Sequence, residues 1–449
     1  MKDLTKGNEA KLIFFFALPM LIGNVFQQLY NTVDSIIVGN ALGKRALAAV
    51  GASFPIIFLL VSLIIGITMG STILIAQYYG AREMDKVKRT IDSVYIFLFF
   101  VSIATTLMGL AFSGTILRLL KVPPDVFPQA RQYLNIIFAG IIVMFGFNSM
   151  SAILRGLGDS KTPLYFLIIA TLANIVLDLV FILGFGLGVA GAAWATVIAQ
   201  GIAFASSVYY LNRTHEIFKF KVNSMSFDRR IFGLSMKIGL PSGIQQMLVA
   251  TGMMALSRIV NGFGTNAMAA YAAAGRVDAF AFMPAMNIAV AVSAFVGQNL
   301  GANKEERVKK GYTASLVISG IISVITTFIV IIFGNQLIWL FNKDPNVIKI
   351  GTRYLTIVGS FYIVFSTMLI TNGVLRGAGD TLVPMFITAL SLWLVRIPIS
   401  ALLSQRIGTD GIWWGTPIAW IMGLTLSFSY YLTGRWKQKV ITRKVIDTG

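Results

Sequence analysis

The chain has 449 residues, of which 56% are hydrophobic and 12% are charged, and its mean hydropathy is +0.77. Soluble domains carry about 25% charged residues, so this composition excludes an ordinary soluble protein. The sequence has no cysteine, which excludes disulfides, and its single histidine, His215, argues against a histidine-based metal site.

Apolar segments long enough to cross a bilayer recur along the whole chain. Lipid offers no hydrogen bonds, so such segments must be helices or strands of a closed barrel. Continuous apolar runs of about 20 residues favour helices, because barrel strands alternate over about 10 residues. The pattern predicts an all-α integral membrane protein with twelve spans, at residues 12–40, 46–78, 90–116, 127–154, 163–186, 189–212, 233–261, 266–299, 311–338, 348–375, 383–405 and 410–433.

The net charge of +19 comes from basic residues concentrated in the loops after the even-numbered spans and in the C-terminal tail. This is the positive-inside pattern, so the charge indicates membrane orientation and not a nucleic-acid partner. We expect a multi-pass protein of the plasma (inner) membrane with both termini in the cytoplasm. The apolar run from Leu12 is too long for a signal peptide and is interpreted as a retained first span.

The sequence contains an internal repeat at an offset of 221 residues. Residues 153–163 read ILRGLGDSKTP and residues 374–384 read VLRGAGDTLVP, while 76–89 matches 297–310 at the same offset. The repeat predicts two six-helix lobes, residues 1–225 and 226–449, related by a pseudo-twofold axis along the membrane normal. We expect a substrate cavity near the middle of the bilayer, between the lobes.

Ionisable residues inside apolar spans are functional candidates, because a charge in lipid is costly. Asp34 lies in span 1 without a nearby basic residue, so it can carry a proton. Asn174 and Asp178 lie four residues apart in span 5, and Thr196 follows in span 6, where back-bonding to its own helix is the alternative. The other polar residues of span 1 are explained equally well by helix–helix hydrogen bonds. Residues of both halves are candidates to line the cavity: Gln27, Tyr30, Asn31, Arg276, Asp278 and Met283.

The second half lacks this acidic pattern. Span 7 contains Arg258 and no acidic residue, and span 8 contains Arg276 and Asp278, which could also form a structural ion pair. The first half is therefore the better candidate for ion coupling. Pro19 lies within span 1, where proline removes a backbone donor, so we predict a bend that is either static or a moving hinge.

The chain resembles the MATE (multidrug and toxic compound extrusion) transporters over essentially its full length. The resemblance rests on ALPMLIGNVFQQLYNTVDSIIVG in span 1, the paired LRGxGD loops, ANIVLD in span 5 and GQNLGA at the end of span 8. It implies a monomeric, non-enzymatic antiporter without a cofactor, which exports amphiphilic, often cationic compounds through lipid-embedded lobes that rock. The residues it implies for cation coupling are Asp34, Asn174, Asp178 and Thr196, with a bend at Pro19.

The coupling ion is H⁺ or Na⁺. Acidic residues that form a cation site in the C-terminal lobe of some members are absent from spans 7 and 10, which favours protons through Asp34. A sodium ion bound by the same four residues is the alternative coupling ion.

Two other functions are compatible with parts of the sequence. A lipid-linked oligosaccharide flippase has a similar architecture but needs a strongly basic cavity, whereas the polar residues of span 1 include an acid. An intramembrane aspartyl protease would use the GxGD patterns that end in Asp159 and Asp380. Both aspartates lie in basic loops that end at a proline, so turn and helix-cap roles are favoured.

Overall fold

A computed structural model describes residues 2–214 and 225–442. Within these two ranges the chain consists of helices joined by short turns, without strands. His215 lies outside the described residues.

The first sequence half contains seven α-helices. Each predicted span from 1 to 6 corresponds to one helix or to two consecutive helices. They are α1 (Glu9–Leu42), α2 (Lys44–Gly80), α3 (Met84–Leu119), α4 (Phe127–Ala139), α5 (Ile141–Gly156), α6 (Lys161–Asp178), which continues as a π-helical segment (Leu179–Gly184), and α7 (Gly188–Thr214).

The second sequence half contains eight α-helices arranged in the same order of spans. They are α8 (Arg229–Asn261), α9 (Thr265–Gly301), α10 (Glu305–Trp339), α11 (Pro345–Gly359), α12 (Tyr362–Gly377), α13 (Leu382–Ala389), which continues through a π-helical segment (Leu390–Arg396) into α14 (Ile397–Ile407), and α15 (Thr409–Leu432). A 3₁₀ turn (Arg435–Lys439) follows.

The helices agree with the predicted spans in position and number. Eight helices in the described part of the chain are long and apolar enough to cross a membrane, and ten are if each of two bent helix pairs counts as one span. The two remaining predicted spans, 7 and 12, correspond to α8 and α15, which are 33 and 24 residues long.

Two of the predicted spans are broken. α4 and α5 meet at Gly140 with a bend of 55°, and α11 and α12 meet near Ser360 with a bend of 49°. A β-carbon at Gly140 would overlap the side chain of Val197 in α7, so the glycine allows the bend to pack closely against that helix. Hydropathy does not show these breaks, because the residues on both sides are apolar.

The described chain forms two compact units whose boundaries fall inside helices. Among the described residues, the first unit comprises 2, 19–75, 83–214 and 225–237, and the second comprises 3–18, 76–82 and 238–442. Short segments of the first sequence half therefore belong to the second unit. α1 is an uninterrupted α-helix through Pro19, and the boundary between the units falls at this residue.

Each unit has its own apolar interior. In the first unit, one buried apolar cluster includes Val38, Tyr133, Ile182 and Val197. In the second unit, one cluster is rich in aromatic residues and includes Tyr354, Tyr362, Trp413 and Trp420. These two clusters surround the buried carboxyl groups described next.

Candidate functional site

Three helices of the first unit bring the four predicted coupling residues together. Asp34 comes from α1, Asn174 and Asp178 come from α6, and Thr196 comes from α7. With its amide oriented so that both of its polar atoms are satisfied, Asn174 donates to Asp178 Oδ2 at 2.9 Å and accepts from the Thr196 backbone N–H at 3.3 Å. Asn174 and Asp178 are fully buried. These four residues are called the carboxyl cluster below.

The two carboxyl groups of the cluster lie close together. The side chains of Asp34 and Asp178 lie within hydrogen-bonding range. Ionised carboxylates only accept hydrogen bonds, so such a contact requires a proton on one of them or a cation beside them. One oxygen of each group, Oδ1, is buried without a hydrogen-bond donor. The arrangement is therefore able to hold one positive charge.

Two tyrosines complete the polar surroundings. The Tyr30 hydroxyl donates to Thr196 Oγ1 at 3.1 Å, so Tyr30 lies with the carboxyl cluster. Tyr133 of α4 is buried close enough to Asp34 and Asp178 for an electrostatic interaction. Tyr133 was not among the residues predicted from sequence, because one tyrosine in an amphipathic helix gives no signal of its own.

The carboxyl cluster is enclosed by apolar side chains. Val38 follows Asp34 by one helical turn, Ile182 follows Asp178 by one turn, and Ala192 and Val197 flank Thr196, all within one buried cluster. Low polarity strengthens electrostatic interactions and makes an unpaired charge costly. The helix becomes π-helical immediately after Asp178, a distortion that is common at functional sites.

The other polar residues of span 1 that were predicted to be functional lie outside the buried carboxyl cluster. Asn31 is exposed, Gln27 is half-buried, and the Ser35 hydroxyl donates to the Asn31 carbonyl at 2.7 Å. The predicted polar face thus divides into a buried end at Asp34 and an accessible end at Asn31, and the accessible residues remain candidates for a cavity lining.

The second unit holds its buried carboxylate differently. Asp278 accepts hydrogen bonds from the hydroxyls of Tyr354 and Tyr362, each at 2.5 Å, and Arg396 is close enough to interact electrostatically. Arg276 is exposed and lies over the Phe341 ring at 5.7 Å. The ion pair considered for Arg276 and Asp278 is therefore wrong, because their side chains occupy different faces of α9. Met283 is half-buried on the same helix.

The aspartates of the two GxGD patterns are engaged locally. Asp159 Oδ1 accepts from the backbone N–H groups of Lys161 and Thr162 at 3.0 Å each, and so caps the start of α6. Asp380 is buried and accepts from the Tyr430 hydroxyl at 2.6 Å. The predicted cap is confirmed for Asp159.

A cation at the carboxyl cluster would be bound by oxygen atoms. Residues 2–214 and 225–442 contain no group of three or more His, Cys, Asp or Glu side chains that could hold a metal ion. The carboxyl cluster supplies two carboxylates, an amide and a hydroxyl, which suit a proton or a hard monovalent cation.

Comparison with known proteins identifies the family. The MatE family model matches the chain twice, over residues 19–180 and 241–402. The probable multidrug resistance protein YpnP of Bacillus subtilis is 36% identical over 98% of this chain and 99% of its own length. The probable multidrug resistance protein NorM of Thermotoga maritima is 30% identical over 97% of this chain and 95% of its own length.

A solved structure shows the same fold. The crystal structure of a MATE protein in the bent conformation superposes with a TM-score of 0.90 at 24% identity, covering 99% of this chain and 98% of that chain. The chain belongs to the MatE family, as the resemblance implied. It is an all-α, multi-pass membrane protein with two six-helix lobes.

Proposed function

We propose that this chain is a secondary active transporter that exports amphiphilic, often cationic compounds, and that proton movement through the carboxyl cluster drives the export. Two relatives that match nearly the whole chain are named as probable multidrug resistance proteins, which supports the substrate class. The chain has no P-loop pattern, so an ion gradient is the energy source we infer.

The observation that carries the proposal is the short distance between the carboxyl groups of Asp34 and Asp178. Their Oδ1 atoms have no donor, and apolar residues surround them. A proton bound here removes a negative charge from a place where charge is costly, and its release restores that charge. The group can therefore exist in two states of different charge.

These two charge states provide a means of exchange. The ionised cluster attracts a cationic compound, whereas the protonated cluster does not. A proton and a cationic drug then compete for the same negative charge, and each favours the protein state that binds it better. Competition of this kind is sufficient for antiport of protons against drug.

Sodium is the alternative coupling ion, because the same oxygen atoms would be its ligands. One proton shared by two carboxyl groups needs no further ligands. A bare sodium ion requires several oxygen atoms around it. Asp34 and Asp178 are close enough for one proton to be shared between their carboxyl groups. This geometry favours the proton.

The test is dye efflux from proteoliposomes under an imposed pH gradient or an imposed sodium gradient. We expect the pH gradient to drive efflux, and Asp34→Asn and Asp178→Asn each to reduce it at least about tenfold, because each removes a carboxyl group from the shared-proton pair. Asp125→Asn is the matched control, since Asp125 is an exposed aspartate in the same unit. Efflux that only sodium drives would contradict the choice of ion, and full efflux in Asp34→Asn would contradict the coupling site.

A further inference from the structure

The second unit contains a cleft at the end of the helices that carries the loops after predicted spans 9 and 11. Its volume is about 810 Å³, within the range of about 300–1,000 Å³ that is common for small-molecule sites. Its walls come from the end of α10, the first half of α11 and the start of α15. All three helices belong to the second unit, whereas the carboxyl cluster belongs to the first, so the cleft is a separate site.

Close packing of α11 against α10 determines which face of α11 lines the cleft. A β-carbon at Gly351 would lie 2.9 Å from the side chain of Ile338, so the two helices approach each other closely at this point. Tyr354 is buried on the same side of α11. Lys349 and Arg353 lie on the opposite side of the helix, one turn apart, and both line the cleft.

The two basic side chains differ in how they are held. Arg353 Nε donates to Asp410 Oδ2 at 2.8 Å, which orients the guanidinium group and leaves its two terminal amino groups as donors. Lys349 is exposed and forms no ion pair with another residue in the described part of the chain. The positive charges that line the cleft therefore exceed the negative charge of Asp410.

Neutral polar groups lie beside these charges. The Thr352 hydroxyl donates to Asn335 Oδ1 at 2.8 Å, so the N–H groups of that amide remain as donors. Thr409, at the start of α15, adds a hydroxyl to the wall. Guanidinium, ammonium, amide and hydroxyl donors together suit an anion whose several oxygen atoms accept hydrogen bonds, such as a phosphate.

The rim of the cleft continues into an apolar face of α10. Phe328, Ile332, Asn335 and Trp339 recur at helical spacing on this face, and the three apolar side chains are at least 50% exposed. Lys343 Nζ lies 5.3 Å from the centre of the Trp339 ring. Exposed aromatic and basic side chains at the end of an apolar helix are typical of the membrane interface. The cleft therefore opens where lipid headgroups and acyl chains meet.

We propose that the cleft binds the headgroup of an anionic phospholipid, whose acyl chains lie along the exposed face of α10. Lys349 and Arg353 donate to the lipid phosphate, and the chains cover Ile332 and Phe328. A zwitterionic lipid carries the same phosphate, but its ammonium group removes the net charge that the two basic side chains attract. The positive-inside pattern predicts that this lipid lies in the outer leaflet. Its binding does not require transport activity.

Protection of a thiol in the cleft tests this binding locally. The chain has no cysteine, so Thr409→Cys introduces a single thiol in the wall. In neutral detergent, dioleoylphosphatidylglycerol should slow the reaction of this thiol with N-ethylmaleimide at least about fivefold, because it occupies the cleft. Dioleoylphosphatidylcholine and inorganic phosphate should leave the rate unchanged. Equal protection by both lipids would overturn the selection for negative charge, and equal protection by phosphate would overturn a lipid as the ligand.

Removal of one charge separates the cleft from other basic surfaces. Lys349→Gln should weaken the affinity for phosphatidylglycerol about fivefold, the effect of one basic residue at a membrane surface, and Lys349→Arg should restore it. The matched control is Lys310→Gln, at an exposed lysine of the same unit outside the cleft. Native mass spectrometry measures lipid retention in these variants without the thiol substitution. Undiminished retention in Lys349→Gln, or an equal loss in Lys310→Gln, would overturn the proposal.

Discussion

The buried carboxyl groups of the two units differ in how fully their hydrogen bonds are satisfied. Asp278 accepts from two tyrosine hydroxyls, whereas Asp34 and Asp178 each keep an oxygen without a donor. Satisfied buried polar groups stabilise a fold, whereas unsatisfied ones are candidates for binding a ligand or a proton. We therefore predict a structural role for Asp278 and a role in coupling for the carboxyl cluster.

The assignment predicts opposite results from the same type of substitution. Asp278→Ala leaves the hydroxyls of Tyr354 and Tyr362 without their acceptor and should lower the free energy of unfolding by about 1–3 kcal/mol. Asp278→Asn keeps an acceptor and should retain most dye efflux, while Asp34→Asn should fold well and lose efflux. Thermal unfolding in detergent and proteoliposome efflux measure the two effects. Loss of efflux in a stably folded Asp278→Asn would contradict the structural role.

At the scale of helices, the break between α4 and α5 positions Tyr133 and α7 around the carboxyl cluster. Gly140 allows this break because its missing side chain leaves room for Val197, the neighbour of Thr196. Hydropathy predicted one straight span here, since a helix break between apolar residues does not change their polarity. The bend is therefore a property of packing that composition does not show.

Gly140→Ala tests this packing. The added methyl group overlaps Val197 and should destabilise the protein by about 1–3 kcal/mol. Val197→Ala should recover part of that loss in the double variant, because the space it vacates accommodates the methyl group. Thermal unfolding of the four proteins of this cycle in detergent provides the measurement, and strictly additive effects would show that the two residues do not share this space.

The N-terminal segment has a predicted dependence on pH. Burial raises the pKa of Asp3, but hydrogen bonds from Thr5 and the charges of Arg82 and Lys6 outweigh it and hold the pKa below the ordinary value of 3.8. A lowered pKa means that ionised Asp3 stabilises the fold above about pH 3.8 and loses this effect as pH falls through its folded-state pKa. Asp3→Asn should therefore unfold at a lower temperature than the parent chain near pH 6, and the difference should shrink below pH 3.8. A difference independent of pH would show that the charge of Asp3 plays no part.

At the scale of the whole molecule, the sequence predicted the twelve spans and the duplication, because apolar length and a repeated motif are properties of the sequence itself. It also predicted that Asp34, Asn174, Asp178 and Thr196 would act together, and the structure places them in one cluster. Their role in coupling stays a prediction.

Other features required three-dimensional structure. Tyr133 and the tyrosines at Asp278 are distant in sequence from the carboxylates they approach. Each compact unit includes short segments from the other sequence half. Only the fold shows that the backbone N–H of Leu4 binds Gln298 and that of Ile441 binds Gln77. Contacts between residues that are far apart in the chain produce no periodic pattern in a single sequence.

The most direct test of the central claim is the release of protons when drug binds to the purified protein. In weakly buffered detergent solution at a pH where the cluster holds its shared proton, addition of a cationic dye should release about one proton per dye bound, because the two compete for the charge of Asp34 and Asp178. Asp34→Asn and Asp178→Asn should bind dye with little proton release, and Asp125→Asn should behave as the parent chain. Dye binding without proton release in the parent chain, or undiminished release in both cluster variants, would contradict the account.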